Sequence, residues 1–231
     1  MTQNYRLHYA PDNASLIIRL ALEEMNLPYE TLLVDRSVSA QRRPDYLALN
    51  PAGKIPTLET PDGVISEVGA ILSYLSETHG QMAPQAGHAG RPEFLKWLFF
   101  TANTLHPDLI MQFYAHRYGP QEAMDHIRAL TAQRLRDHLA LLDQALRHAP
   151  WSSGETPSVL DYYVVACLRW ATLYPVGETG WFKIADYPHL FALCQQLETR
   201  PAAQAAIKAE GLGQTPFSAP HYANPPEGVA L

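Results

Sequence analysis

The chain has no apolar run approaching the about 18 residues that a membrane-spanning helix requires, only two cysteines, and no excess of basic charge. Each absence removes a class of function. With 17 Lys and Arg against 23 Asp and Glu, the net charge of −6 supplies no basic face for nucleic acid or an anionic membrane, and leaves room only for a local basic pocket. Cys167 and Cys194 both lie in apolar, helical-looking stretches and form neither a CxxC pair nor a spaced metal set. No disulfide framework and no metal site is expected, and the chain reads as reduced and cytoplasmic. Met1 to Arg6 is polar where a secretory leader carries an apolar centre, so export is not expected. No internal repeat or low-complexity tract is present. What remains is a composition of 47% apolar and 17% charged residues, that of a chain with a buried core, and 231 residues suit two compact domains.

Tyr5 to Tyr9 reads as a strand broken by Pro11-Asp12-Asn13. Ala14 to Asn26 follows with Ile17, Leu20 and Ala21 at helical spacing, and Leu27-Pro28 stops it. Tyr29 to Val34 is a second strand, and the crossover implies a parallel pair. Ile55 to Glu59 and Val64 to Ile65 flank a Pro61-Asp62-Gly63 turn, and Glu67 to His79 closes the unit as a helix. This order, βαβ then ββα, predicts an α+β, thioredoxin-like domain over residues 1–80. Gly80 to Gly90, rich in Gly, Pro, Gln and Ala, reads as a linker, placed at 81–90. Residues 91–210 read as an all-α domain: Phe94, Trp97, Leu98, Thr101 and Leu105 mark one long helix, Leu135, Leu139, Leu142 and Leu146 a second. Ser158-Val159-Leu160-Asp161 is a capping box with Asp in place of Glu, opening a third helix. Shorter helices are expected over 188–198 and 201–209, then an extended, surface-lying tail over 211–231.

The chemistry concentrates at Asn50-Pro51-Ala52-Gly53-Lys54-Ile55-Pro56-Thr57-Leu58 and Ser66-Glu67-Val68-Gly69-Ala70-Ile71. A proline directly before a short strand either marks an ordinary loop or sits in a cis bond. In the second case the Ile55 N–H and C=O form an unpaired edge that suits the backbone of a small peptide. At the start of the 67–79 helix, unpaired N–H groups and the positive end of the dipole attract a carboxylate, unless Ser66 or Glu67 spends its side chain as a plain cap.

Leu7-His8-Tyr9-Ala10-Pro11, a first helix with Leu22-Glu23-Glu24, the Asn50 to Pro56 stretch, Glu67 to Ile71 running into Tyr74-Leu75, and Thr156-Pro157-Ser158-Val159-Leu160-Asp161 follow in one order. That order resembles the cytosolic glutathione transferases over roughly residues 5–210. The resemblance implies that Pro56 is cis, that Ile55 pairs with the cysteinyl backbone of glutathione, that Lys54 lies near its glycyl end, and that Glu67 and the Val68 amide receive the γ-glutamyl group. Ala102 to Pro107 is similar to the bacterial beta-class helix that sets a histidine beside the thiol, which makes His106 a candidate; a partly buried structural histidine is its alternative. The resemblance also implies a homodimer.

Two departures stand out. Ala14 occupies the beta-class cysteine position, which removes mixed-disulfide chemistry there. Val68 replaces the serine that follows the acidic residue in most classes, keeping the backbone donor and losing a hydroxyl bond. Since a free thiol has a pKa of about 8.5, it needs a donor or positive potential to ionise at neutral pH. The first helix supplies a dipole end, and Ser15, Asn13 and Tyr9 are the candidate donors, ranked in that order with Ser15 and Asn13 level; a cap, a local bond or strand packing is the alternative for each. Met111, Phe113, Tyr114, Trp170 and Tyr174 are candidates to line a second-substrate pocket between the two domains. The resulting expectation is conjugation of the glutathione thiolate to an apolar electrophile, with a peroxidase variant, and a non-catalytic glutathione-binding or regulatory protein as the alternative.

Overall fold

The computed structural model describes residues 5–148 and 156–230. Met1 to Asn4 of the polar start and Leu231 of the tail lie outside the described residues. Two compact units emerge: residues 1–82 with 198–216 and 221–231, and residues 83–197 with 217–220.

The first unit is built on a four-stranded sheet ordered β2-β1-β3-β4. β1 (Tyr5–Tyr9) is central and buried at all but Arg6, as a strand covered on both faces must be. Helix α1 (Ser15–Glu24) carries the chain to β2 (Tyr29–Leu33), parallel to β1 with Tyr9 opposite Leu33. The αR run ends where Asn26 takes φ +53 and the Leu27 amide donates to Leu22 O at 3.0 Å, a left-handed cap with asparagine in the place glycine usually holds. Sequence spacing missed the next element, α2 (Pro44–Leu49), because six residues are too few to show a period. β3 (Thr57–Thr60) runs antiparallel to β1, and β4 (Gly63–Ser66) returns beside it across a two-residue turn. α3 (Val68–His79) completes the unit's first half and ends on Gly80 at φ +63. Leu16, Ile17, Leu20, Leu58, Ile71 and Leu75 are fully buried in its core.

The second unit opens with α4 (Arg91–Phe100), passes through one π turn at Thr101–Leu105, and continues as α5 (His106–Phe113). The single long helix expected from sequence is therefore interrupted, by a wide turn of the kind that concentrates at functional positions. α6 (Met124–Leu146) packs along α5. α7 (Val159–Leu173) is buried along almost its whole length. The capping box that opens it is present: Ser158 N–H donates to Asp161 Oδ2 at 2.7 Å, and the Asp161 amide donates to Ser158 Oγ at 3.3 Å. α8 (Pro188–Glu198) has its start capped from another helix, since Asp143 Oδ1 accepts from the amides of His189 and Leu190 at 2.8 and 2.9 Å. A second cis bond, Tyr174–Pro175, has no counterpart in the sequence reading.

The last helix, α9 (Pro201–Glu210), differs from expectation in its company. Spacing assigns it to the helical domain, yet it packs against α1 and belongs with the sheet unit. The tail expected to lie extended on the surface carries neither helix nor strand, but it is not confined to the surface: Leu212 and Phe217 are buried, and its residues 221–230 group with the sheet unit. α9 buries Ala202, Ala203 and Ala206, and Arg200 just before it donates to both carboxylate oxygens of Glu24 on α1, at 2.9 and 3.0 Å from Nε.

A buried helix start cannot leave its amides unpaired. Ser158→Ala and Asp161→Ala are therefore each expected to lower stability by about 1 kcal/mol, read as a fall in Tm for both single variants.

Candidate functional site

Strand register draws the sequence candidates into one row. His8 pairs with Thr57, and Thr57 with Ser66. One residue further along each strand, Tyr9, Pro56 and Glu67 therefore stand side by side at the same end of the sheet. The Ile55–Pro56 bond is cis. β3 begins only at Thr57, so Ile55 stands outside the ladder.

α2 and Asn50 build the loop that holds Ile55. The Tyr46 hydroxyl donates to Lys54 O at 2.6 Å and lies 2.9 Å from Thr57 Oγ1, while Asn50 Nδ2 donates to the same Lys54 carbonyl at 2.9 Å. Gly53 turns the loop at φ +61, and a Cβ there would meet Gln41 O at 3.0 Å and Arg42 Nη1 at 3.1 Å. The close approach requires glycine. It also sets the Arg42 guanidinium beside the residue preceding Lys54, a second cation that no spacing in the sequence indicates.

Glu67 is the N-cap residue of α3, yet its side chain makes no capping bond and is exposed. Its backbone sits at φ +70, a region that costs a non-glycine residue on the order of 1–3 kcal/mol. The plain-cap alternative is thereby removed. The first amides of α3 stay open to an anion, with Val68, itself buried, supplying the first N–H of the helix.

The α1 start separates the three thiol-activating candidates. Ser15 is fully buried; its Oγ donates to Ala10 O at 3.0 Å and accepts from Ala10 N–H at 3.2 Å, which closes the turn into the helix. Tyr9 is 2% exposed, and its hydroxyl donates to the Glu227 carboxylate. Burial, then the bond and charge of Glu227, raise the Tyr9 phenol above its ordinary value. Asn13 is half-buried; its Oδ1 accepts from Ala14 N–H at 2.8 Å, and among the described residues its Nδ2 donates to nothing.

Beneath this loop lies a charge network without a sequence signal. Arg19, 5% exposed, donates to Glu210 Oε1 at 2.7 Å, while the other Glu210 oxygen accepts from Asp12 N–H at 2.8 Å. The Arg19 guanidinium also lies 4.8 Å from the centre of the Tyr9 ring and donates to the Tyr29 hydroxyl at 3.2 Å. Burial raises the Glu210 carboxyl, against the lowering by Arg19 and by the Asp12 amide.

His106 belongs to the helical unit. Its Nδ1 is 2.9 Å from the Tyr163 hydroxyl, and its ring lies tilted 5.5 Å from that of Trp170. Of the five large residues expected to line a second-substrate pocket, Trp170 and Tyr174 are buried in this unit, Tyr174 edge-on to Phe113 at 6.1 Å. The guanidinium of Arg117 covers the Tyr114 ring at 3.9 Å. Met111 lines an apolar cavity of about 330 Å³ with Ile127, Leu130 and Thr131. Cys167 and Cys194 are buried and outside any disulfide, and burial pushes the Cys167 thiol up, which removes it as a nucleophile. No group of three or more His, Cys, Asp or Glu side chains placed to hold a metal occurs among the described residues, nor does a helix long and apolar enough to cross a membrane.

Comparison with known proteins shows the family. Residues 14–78 match the glutathione S-transferase N-terminal domain and residues 124–196 the C-terminal domain. The glutathione S-transferase GST-4.5 of Xanthomonas campestris is 32% identical over 216 residues, covering 90% of this chain and 99% of that protein. The disulfide-bond oxidoreductase YfcG of Escherichia coli is 30% identical over 212 residues, covering 88% and 95%. A sphingomonad glutathione S-transferase solved in complex with glutathione superposes with a TM-score of 0.72 at 31% identity, covering 90% of this chain and all of that one. The chain belongs to the glutathione S-transferase family, and its activity class is that of a transferase. Residues 197–231, which hold Glu210 and Glu227, lie beyond both matched segments.

A buried ion pair stripped of one partner leaves an uncompensated charge. Glu210→Ala is expected to destabilise by about 3–5 kcal/mol, and Arg19→Met in the same chain to recover much of that loss. Chemical unfolding of the single and double variants measures both; a double variant no more stable than Glu210→Ala would contradict the pairing.

Proposed function

We propose that the sheet unit binds glutathione along Ile55, cis Pro56 and the Glu67-Val68 start of α3, and that the protein conjugates the glutathione thiolate to an apolar electrophile. The observation that carries this reading is the start of α3: Glu67 sits at φ +70 with its side chain exposed and uncommitted, one register position across from cis Pro56. A tripeptide anchored at both points has its position and direction set together.

In this reading the Ile55 backbone pairs with the cysteinyl residue. Lys54 and Arg42 face the glycyl carboxylate. The Val68 amide receives the γ-glutamyl carboxylate, and Glu67 its ammonium group. The sulfur then lies at the α1 start, where the helix dipole and the Asn13 amide favour the thiolate. The thiol proton leaves to solvent. The sulfur lone pair forms the new C–S bond as the electrophile expels its leaving group or, for an epoxide or enone, takes the electron pair and a proton. Ser15 holds the turn, and His106 remains a polar candidate within the helical unit. The protein acts in the cytoplasm as a two-fold homodimer with no metal.

Glutathione is expected to bind in the micromolar to millimolar range. Val68→Ser should tighten it by on the order of 1 kcal/mol, the worth of one neutral hydrogen bond. Titration calorimetry decides: no heat with millimolar glutathione would sink the ligand assignment. Light scattering at micromolar concentration should return twice the chain mass, and a monomeric mass would remove the dimer.

A further inference from the structure

The carboxy-terminal strap is the part of the molecule that conjugation chemistry leaves unused. Residues 221–230 carry no helix or strand, yet contacts tie them to the sheet unit along their length. Asn224 N–H donates to Gly211 O at 2.9 Å. Gly211 itself is at φ +64, and a Cβ there would fall 2.0 Å from Asn224 O, so the crossing is closed to any other residue. At Gly228 an added Cβ would meet Leu33 Cδ1 at 2.7 Å and Pro11 Cδ at 3.3 Å, which sets the strap against the loop between β1 and α1. Arg36 donates to Ala230 O at 3.0 Å. Between these ties, Glu227 accepts the Tyr9 hydroxyl.

A phenol has one proton to donate. Given to a carboxylate, that proton makes a charge-assisted bond, and the hydroxyl then presents only lone pairs to a neighbouring anion. The charged groups around Tyr9 are Glu227 at its hydroxyl, Arg19 over its ring and Glu210 behind Arg19. Arg19 is itself spent on Glu210 and Tyr29. On the same loop Asn13 keeps two N–H donors free of any partner among the described residues.

We propose that Glu227 is a positioning residue that selects which donor activates the glutathione sulfur: by holding the Tyr9 hydroxyl it withholds that proton, and leaves thiolate stabilisation to the α1 start and Asn13. The inference rests on the glutathione reading above. It assigns the strap a part in the reaction, and it makes Tyr9 silent for a reason that lies 218 positions away in sequence.

The test uses the full chain as wild type, Tyr9→Phe, Glu227→Ala and the double variant, each checked for an intact thermal transition and for glutathione heat. The readout is the ultraviolet absorption of bound thiolate against pH. Tyr9→Phe alone is expected to leave the thiolate midpoint where it is. Glu227→Ala should release the phenol and move the midpoint down by about one pH unit, a tenfold change in equilibrium, and adding Tyr9→Phe should restore it. A purely structural role for the strap shifts melting without that reversal. Three outcomes overturn the proposal while sparing the glutathione reading: Tyr9→Phe alone raising the midpoint, Glu227→Ala leaving it unmoved, or a fall that Tyr9→Phe fails to reverse. Absence of glutathione heat from the wild type overturns both together.

Discussion

Arg19 and Glu210 meet 2.7 Å apart with almost no surface left to water, and much of the sheet unit is arranged to make that meeting tolerable. Two buried charges are costly unless each finds geometry and further bonds to replace its hydration. Here the second Glu210 oxygen takes the Asp12 amide, the Arg19 guanidinium reaches the Tyr29 hydroxyl, and that hydroxyl donates onward to Glu23 at 2.5 Å. The pair thereby fixes α9 on α1 and shapes the loop from Ala10 to Ala14. Asp12, at φ +49, is held in a conformation few side chains adopt, with its amide aimed at the carboxylate.

The loop so fixed is where sulfur chemistry is proposed, and its polar groups divide into those consumed by the fold and those left over. Ser15 closes the turn, Tyr9 answers to Glu227, and the Asn13 amide is left. The same division holds across the sheet end. Tyr46 and Asn50 saturate the Lys54 carbonyl and so hold Ile55 still, whereas Glu67 spends nothing on its own helix. Preorganisation of this kind puts rigid backbone around a small number of uncommitted groups, which is what small-ligand recognition requires.

In the helical unit the same economy appears at helix starts. Ser158 and Asp161 cap α7 from within, while α8 borrows Asp143 from α6. The first device is local in sequence and the second is not, though both satisfy the same orphan amides.

That contrast marks what the amino-acid sequence determined by itself. β1 from Tyr5 to Tyr9, the end of the first helix before Leu27-Pro28, the Pro61-Asp62 turn and the Ser158–Asp161 cap were all legible, because propensity, periodicity, turn chemistry and capping act within a few residues. The ordered motifs also carried the expectation of a cis bond at Pro56, which the backbone has. Only tertiary structure decided the fate of the charges. Arg19 sits among apolar neighbours in a helix and gives no sign that its partner lies 191 positions on; Glu227 looks like any acid in a proline-bearing tail. The π turn before His106 and the six-residue α2 were equally silent, the first because it preserves a helical pattern and the second because it is shorter than one. Periodicity tells a segment which of its faces to bury. Which surface covers that face, and so which proton is donated and which is left free, is set only when distant segments come into contact.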